Sequence, residues 1–314
     1  MTAIFWVAFI REGPRGDVAL HQTEPAPCRA ALVCPVRGCR SRLSWEDTRV
    51  VCAQGHLFDR GRSGYCNLLQ VQDRRAKHPG DSKAVVQARR RGLERGLGIA
   101  LRDALGERAA AGGLTAESVA LDAGCGEGYY LEALCARFGC EGWGVDISTP
   151  AIDAAARNRP LARWVVANAD RSMPFADGCF HLITSITARK NPAEFRRLLA
   201  PGGQLLVAVA HEDDQKELRG LLFGEVPESD RAGATVAAFA PLFRLEDERV
   251  VSSRARLDPE GLRDLLLGSY RGERYSAREA LAGLRTLDVT LSYRLLSFRA
   301  RDASGPVRSS RIRP

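Results

Sequence analysis

Val119-Ala-Leu-Asp-Ala-Gly-Cys-Gly-Glu-Gly-Tyr-Tyr130 decides how the chain folds. An apolar run that reads as a buried parallel strand stops at Asp122. Gly124, Gly126 and Gly128 follow, and a helical pattern starts at Tyr129 and Leu131. The stretch therefore reads as a strand, a glycine turn and a helix. Glycine is demanded there because the turn needs backbone angles closed to other residues, and because a nucleotide-like ligand must lie on bare backbone.

The spacing narrows the ligand. A dinucleotide site wants G-x-G-x-x-G, and its third glycine falls where this chain has Tyr129, so a hydride-transfer cofactor is disfavoured. Asp146 comes 20 residues after Gly126 and closes a second apolar strand, Gly142-Trp-Gly-Val-Asp-Ile. A carboxylate there can take both hydroxyls of a ribose. The pattern Asp-x-Gly-x-Gly-x-Gly with this acid resembles the S-adenosylmethionine site of class I methyltransferases. The alternative is an ordinary glycine turn in some other doubly wound fold. The resemblance implies that Asp122, Gly124, Cys125, Gly126, Gly128, Tyr129, Asp146 and Ile147 meet the cofactor.

Downstream the alternation is regular: a helix to Phe138, a strand to Asp146, a helix from Thr149 through Arg157, then the strand Trp164-Val-Val-Ala. Such alternation implies an α/β, Rossmann-like, doubly wound parallel sheet with ligands at the carboxyl ends of its strands. Asn168, Ala169 and Asp170 then fall where adenine would lie. Asp170 reads either as an acceptor for the adenine amino group, supported by Asn168, or as a loop carboxylate capping its own turn. A fourth strand, Phe180 to Thr187, delivers Thr187, Ala188 and Arg189 to the pocket rim, and His181 at its start reads as structural. Asn191-Pro192 opens a helix, Pro201-Gly-Gly leads into a fifth strand, and His211 to Gln215 are placed to close over the pocket. Asp258-Pro259 starts another helix, and Val289 to Arg299 alternates as a half-buried strand does.

The chain of 314 residues, 45% apolar, is long enough for one full α/β domain and a smaller module. Its net charge of +8 is uneven: Cys28 to Arg102 holds 16 Lys and Arg against 6 Asp and Glu. The basic segment points to a polyanion such as RNA, or else to a solvated basic face. Met1 to Ile10 is apolar but too short to span a bilayer and lacks a positive leader. The nine cysteines are therefore read as reduced thiols of a cytoplasmic protein without a membrane partner.

Four of the metal-binding residue types form two short hooks, Cys34-x4-Cys39 and Cys52-x3-His56. Separated by a loop, they can close tetrahedrally around a structural zinc ion, which would explain how a segment poor in core residues folds. Buried thiols with His56 hydrogen-bonded in a loop are the alternative, and Cys28 stands close enough to compete as a ligand. Four protein ligands leave no open position for catalysis.

From the cysteines onward the order of motifs becomes specific: Gly55-His-x-Phe58-Asp59, Gly64-Tyr65-x-Asn67-Leu68-Leu69, Gly80-Asp81-Ser82, an Ala-Arg helix, then the glycine turn. This resembles the RlmA-type 23S rRNA guanine-N1 methyltransferases. The resemblance implies a 23S rRNA hairpin as partner, a homodimer, and rRNA methylation at guanine N1. Gly96-Leu97-Gly98 and Thr187-Ala188-Arg189 depart from the family pattern at the pocket, so fold and cofactor carry over better than the target does. A methyltransferase of the same scaffold acting on a small molecule or peptide, and a non-catalytic RNA-binding protein, are the rival readings.

The expected organisation is an extension over 1–27, a zinc-binding RNA-recognition module over 28–80, a methyltransferase domain over 81–301 and a basic tail over 302–314. Arg74, Arg75, Lys77, Arg89, Arg90 and Arg91 are the candidate phosphate contacts, because a guanidinium fork binds two oxygens at once. A solvated helix face is the alternative for the helical arginines. Tyr65, Tyr129 and Tyr130 are either stacking partners for an extruded base or packing residues. Asp170, Thr187 and Arg189 are the catalytic candidates, on position alone.

Overall fold

The computed structural model describes residues 30–73, 79–224, 230–269 and 284–301. The expected extension, Cys28, Arg74, Arg75, Lys77 and the tail lie outside them. The N-terminal module is an antiparallel sheet of three short strands, β1 (Leu43–Trp45), β2 (Arg49–Cys52) and β3 (Leu57–Asp59). A two-residue strand, β4 (Cys66–Asn67), then leaves the module and enters the main sheet.

That sheet also contains β5 (Val119–Ala123), β6 (Glu141–Asp146), β7 (Ala162–Val166), β8 (Phe180–Ile186), β9 (Leu199–Ala210), β10 (Phe243–Leu257) and β11 (Leu287–Ala300). Their order is β10-β11-β9-β8-β5-β6-β7-β4. The strands from β9 to β4 run parallel, while β11 is antiparallel to both β9 and β10. Every residue of β5 is buried, as expected for a central parallel strand covered on both faces. The helices are α1 (Lys83–Glu94), α2 (Ile99–Ala111), α3 (Tyr129–Phe138), α4 (Thr149–Asn158), α5 (Pro192–Leu198), α6 (Lys216–Phe223), α7 (Arg231–Phe239) and α8 (Pro259–Gly268). Their caps follow the sequence signals. Ser82, Ser148, Asn191 and Asp258 each accept a first-turn N–H, and Pro150, Pro192 and Pro259 stand in the first turns they open.

Two features depart from the sequence reading. The first is β10, whose residues between the buried ends Phe243 and Leu257 alternate between half-buried and exposed along a charged sequence that offers no apolar run to read. The second is β4. It carries Cys66 and Asn67 into parallel register with Val165 and Val166, and Leu68 continues the ladder by donating to Val166 O at 2.9 Å. Leu32 also bridges Phe175, and Val33 N donates to Pro174 O at 2.9 Å. Leu32, Val50 and Cys66 of the module share one buried cluster with Trp143, Val165 and Phe175 of the sheet. The rings of Trp45 and Trp143 lie 6.2 Å apart across that junction. Module and domain therefore have a common core. Among the described residues no helix is long and apolar enough to cross a membrane.

Candidate active site and metal centre

The glycine turn is locked from two sides and open on a third. Gly124 N and Cys125 N both donate to Val145 O, at 2.8 and 3.0 Å, which fastens the turn to the end of β6. Gly124, Gly126 and Gly128 have φ of 86, 55 and 82°, the left-handed region that disfavours side chains. A Cβ on Gly124 would stand 2.3 Å from Ala188 Cβ, and one on Gly128 would stand 2.2 Å from the Trp164 ring. One on Gly126 would meet nothing within 4 Å. Two glycines thus serve packing, and Gly126 leaves a bare cradle facing open space.

Two acids flank that cradle. Asp146 Oδ2 accepts from Gly126 N at 2.9 Å and its Oδ1 from Ser148 N at 2.8 Å. Each oxygen keeps a lone pair for a hydroxyl donor. Burial raises the Asp146 pKa against the pull of these two amides. Asp122 lies beneath the turn, 1% exposed, with the Thr184 hydroxyl donating to its Oδ1 at 2.8 Å. Burial pushes its pKa up to about 7, opposed by the Thr184 hydrogen bond and helped by the charge of Asp146. Asp122, Gly124, Cys125, Gly126, Tyr129, Asp146, Ile147, Asn168, Ala169 and Asp170, all expected at the cofactor, line one cleft of about 1230 Å³. Gly128 is the exception, turned against Trp164.

The cleft is larger than the roughly 300–1000 Å³ of an ordinary small-ligand pocket, so a second group fits beside a nucleoside cofactor. Its other half is built from the ends of β8 and β9 and the middle of β11 with α1, α6 and α8. Thr187 stands at the end of β8 with φ of 50° and its N–H on Ala208 O at 2.8 Å. A β-branched residue held there is a strained feature of the kind that clusters at functional sites. Gln215, at φ of 53°, lines the same cleft. Asp170 forms an ion pair with Arg189 at 3.2 Å, and its N–H donates to Asn168 Oδ1 at 2.9 Å. Two of the catalytic candidates are thus tied to one another at the rim.

Tyr129 and Tyr130 line the cleft edge-to-face, 5.1 Å between centroids, and Tyr65 is not among the lining residues. Gly98 packs on this pair: a Cβ there would lie 2.9 Å from the Tyr129 ring and 3.2 Å from the Tyr130 hydroxyl. Of the α1 arginines named from the sequence, Arg89 lines the cleft, and Arg90 and Arg91 do not. Arg89 pairs with Asp81 at 2.5 Å and donates to Gly268 O at 2.9 Å, while Arg91 grips Asp264 with two nitrogens at 2.8 and 2.5 Å. Arg90 pairs with Glu94 on the same helix at 2.8 Å. Sequence reasoning did not identify Asp264 or Tyr293 as lining residues; both reach the cleft from far along the chain.

The segment that enters α1 docks on the loop after β6. A Cβ on Gly80, whose φ is 82°, would sit 2.7 Å from Ser148 Cβ, and Ser148 Oγ donates to Asp81 O at 2.7 Å.

In the module, the four candidate donors converge. The ligand atoms of Cys34, Cys39, Cys52 and His56 all lie within 4.8 Å of one another, with Cys34 Sγ to His56 Nδ1 and Cys39 Sγ to Cys52 Sγ both at 3.5 Å. A tetrahedral zinc ion with bonds of about 2.0–2.3 Å sets its ligands about 3.5–3.8 Å apart, so the donor set fits that ion. Gln54 N–H points at Cys52 Sγ at 3.3 Å, and the Ser41 N–H holds the Cys39 thiol down to about 6. Burial pushes Cys34 up to about 12; a cation among the sulfurs would favour the thiolate at each.

Comparisons with known proteins agree with both halves of this arrangement. Residues 120–203 match a family model described as "Methyltransferase domain", and residues 32–77 match one described as "RlmA, N-terminal". A protein of Streptomyces fradiae named "23S rRNA (guanine(748)-N(1))-methyltransferase" is 34% identical over 74% of this chain and 81% of its own length. A Micromonospora griseorubida protein named as a guanine-N1 methyltransferase of 23S rRNA is 35% identical over 63% of this chain and 65% of its own length. A similarly named Bacillus subtilis protein is 35% identical over 57% of this chain and 64% of its own. With a Cys/His module docked on a class I methyltransferase sheet and a relative this similar over most of both chains, the protein belongs to the RlmA-type 23S rRNA guanine-N1 methyltransferase family.

Proposed function

We propose that this protein transfers a methyl group from S-adenosylmethionine to N1 of a guanine in a 23S rRNA hairpin, with a structural zinc ion on Cys34, Cys39, Cys52 and His56. One observation carries the reading: the bare Gly126 backbone and the aligned Asp146 carboxylate open into a cleft of about 1230 Å³, in a chain 34% identical to a relative named for that reaction. Bound S-adenosylmethionine supplies an activated methyl on a sulfonium. The chain's own work is to hold acceptor and methyl in line and keep water out.

Asp146 takes the ribose hydroxyls, Asn168 and Asp170 border the adenine, and the Gly126 backbone leaves room for the methionyl part. Asp122 places a carboxyl beneath the cationic end. Tyr129 and Tyr130 wall the cleft beside the incoming base. A guanine inside a hairpin must leave its stack to enter, and the free volume beyond the cofactor half accepts it. Of the α1 arginines, Arg90 is the one free to turn to a phosphate, since its pair with Glu94 is exposed; Arg89 and Arg91 are committed to α8. The module, joined through β4, positions this basic side of the chain on the RNA.

The test is transfer of labelled methyl from S-adenosylmethionine to unmodified bacterial 23S rRNA, followed by reverse-transcription mapping. The expected result is an arrest at a single guanine, because a methyl at N1 blocks the pairing edge. Cofactor binding with no labelled RNA would sink the reading.

A further inference from the structure

We propose that Asp214 is the residue that takes the proton guanine N1 must lose, an inference that rests on the guanine-N1 reading above. A transfer to N1 balances only if that proton has a destination. The N1–H bond breaks, its electron pair forms the new N1–CH3 bond, the S–CH3 pair stays on sulfur, and the proton passes to a carboxylate oxygen.

Several carboxylates line the cleft, and Asp214 is the one that neither adjoins the glycine turn nor forms an ion pair among the described residues. On the cofactor side, Asp122 lies under the turn with the Thr184 hydroxyl, Asp146 is held by two backbone amides, and Glu127 is paired with Arg159 at 3.0 Å. Around the rim, Asp81, Asp170, Glu212 and Asp264 pair with Arg89, Arg189, Arg294 and Arg91. Asp214 lines the same cleft and has no ion pair among the described residues. Its Oδ1 accepts from Ser292 N at 3.0 Å and its Oδ2 from Gln215 Nε2 at 3.2 Å.

Position agrees with chemistry. Asp146 and Asn168 mark the nucleoside half of the cleft over β6 and β7. Asp214 stands in the turn after β9, braced by β11, on the other side of β5 and β8 in the sheet order. The cleft continues from there past Gly126 into that half, where the methyl-bearing end of a cofactor held by Asp146 and Asn168 would lie. Gln215, the next residue, is fixed at φ of 53° with its N–H on Thr290 O at 2.7 Å, so the turn is held rather than loose. Arg219 of α6, Arg231 of α7 and Tyr293 of β11 face Asp214, with His211 and Asp213 in its own turn. Burial outweighs the two arginines and raises its pKa to about 6. A base poised near the working pH is the efficient one.

The experiment is single-turnover methyl transfer to 23S rRNA across pH at saturating S-adenosylmethionine, so that the pH dependence of cofactor affinity does not enter the rate, with that affinity measured by calorimetry, for the full-length chain, D214N and D214E. D214N is expected to bind S-adenosylmethionine as the parent does and to transfer on the order of 10²- to 10⁴-fold more slowly. The parent's acidic limb near pH 6 disappears, and the deficit narrows at high pH as guanine N1 ionises unaided. D214E recovers part of the rate with a shifted limb. A D214N variant that transfers at the parent rate, keeps the acidic limb or loses cofactor affinity overturns the proposal. If D214N does not fold, a parent profile whose acidic limb is unmoved by D214E overturns it equally. A parent chain that labels no rRNA would instead overturn the guanine reading itself.

Discussion

Cys66 of the metal-binding module lies in parallel register with Val165 of the methyltransferase sheet. The module therefore supplies a strand and part of the core of the domain that follows it. Loss of the metal should be felt by both. Cys52→Ser, or chelation, is expected to lower stability by at least about 2 kcal/mol, or roughly 4–8 °C in melting temperature for a domain of this size. Scanning calorimetry should give one transition at the lower temperature. Two separate transitions, with the second unchanged, would mean that the halves fold independently.

The glycine turn allows a matched pair of substitutions. Gly126→Ala adds a methyl into open space at φ of 55°, so the chain should fold at a cost of about 1–2 kcal/mol. Cofactor affinity should nonetheless fall tenfold or more, because the methyl enters the cradle. Gly128→Ala drives a methyl to within 2.2 Å of the Trp164 ring and should cost more stability than Gly126→Ala. Isothermal titration and urea unfolding of the two variants separate the roles.

Asp122 is expected to make cofactor affinity depend on pH. Its folded pKa of about 7 lies above the unfolded value of about 3.9, so the apo fold favours the protonated form and loses that contribution as pH rises through 7. A cationic cofactor prefers the carboxylate. Affinity for S-adenosylmethionine should therefore climb from pH 5 to about 7 and then level, with proton release on binding. Calorimetry in buffers of different ionisation enthalpy detects that proton, and Asp122→Asn should abolish both the climb and the release.

Arg91 and Asp264 test the division of labour on α1. The Asp264 side chain is 6% exposed and that of Arg91 is 45% exposed. Arg91→Ala should cost about 2 kcal/mol, less than the roughly 3–5 kcal/mol of a fully buried pair. Arg90→Ala should leave stability within about 0.5 kcal/mol and weaken rRNA binding, with a shallower salt dependence of affinity. Equal effects of the two variants on RNA binding would contradict the assignment.

What the sequence made legible follows from where information is local. β5, the turn and α3 are contiguous, and each carries its own signal in burial, backbone angle or cap. The convergence of Cys34, Cys39, Cys52 and His56 was readable because short hooks leave their residues few places to go. The two residues of β4 are too few for any periodicity, and their partner lies about a hundred residues away. β10 pairs along its full length with β11, yet between its buried ends the inner side is only half-buried, so Asp247 and Arg249 stand on it among Leu245, Val251 and Ala255. The fates of Arg89 and Arg91 depended on α8, over 170 positions distant. Asp214 lies in the segment read from sequence as closing over the pocket, but that it faces the half of the cleft away from the glycine turn, with no ion pair among the described residues, shows only in the folded arrangement.

Gly80 leaves no room for a side chain against Ser148, whose hydroxyl donates to Asp81 O and whose N–H donates to Asp146 Oδ1. The segment that enters α1 thus rests on the same serine that aligns Asp146, so a side chain placed at Gly80 is expected to reach that carboxylate through one intervening residue.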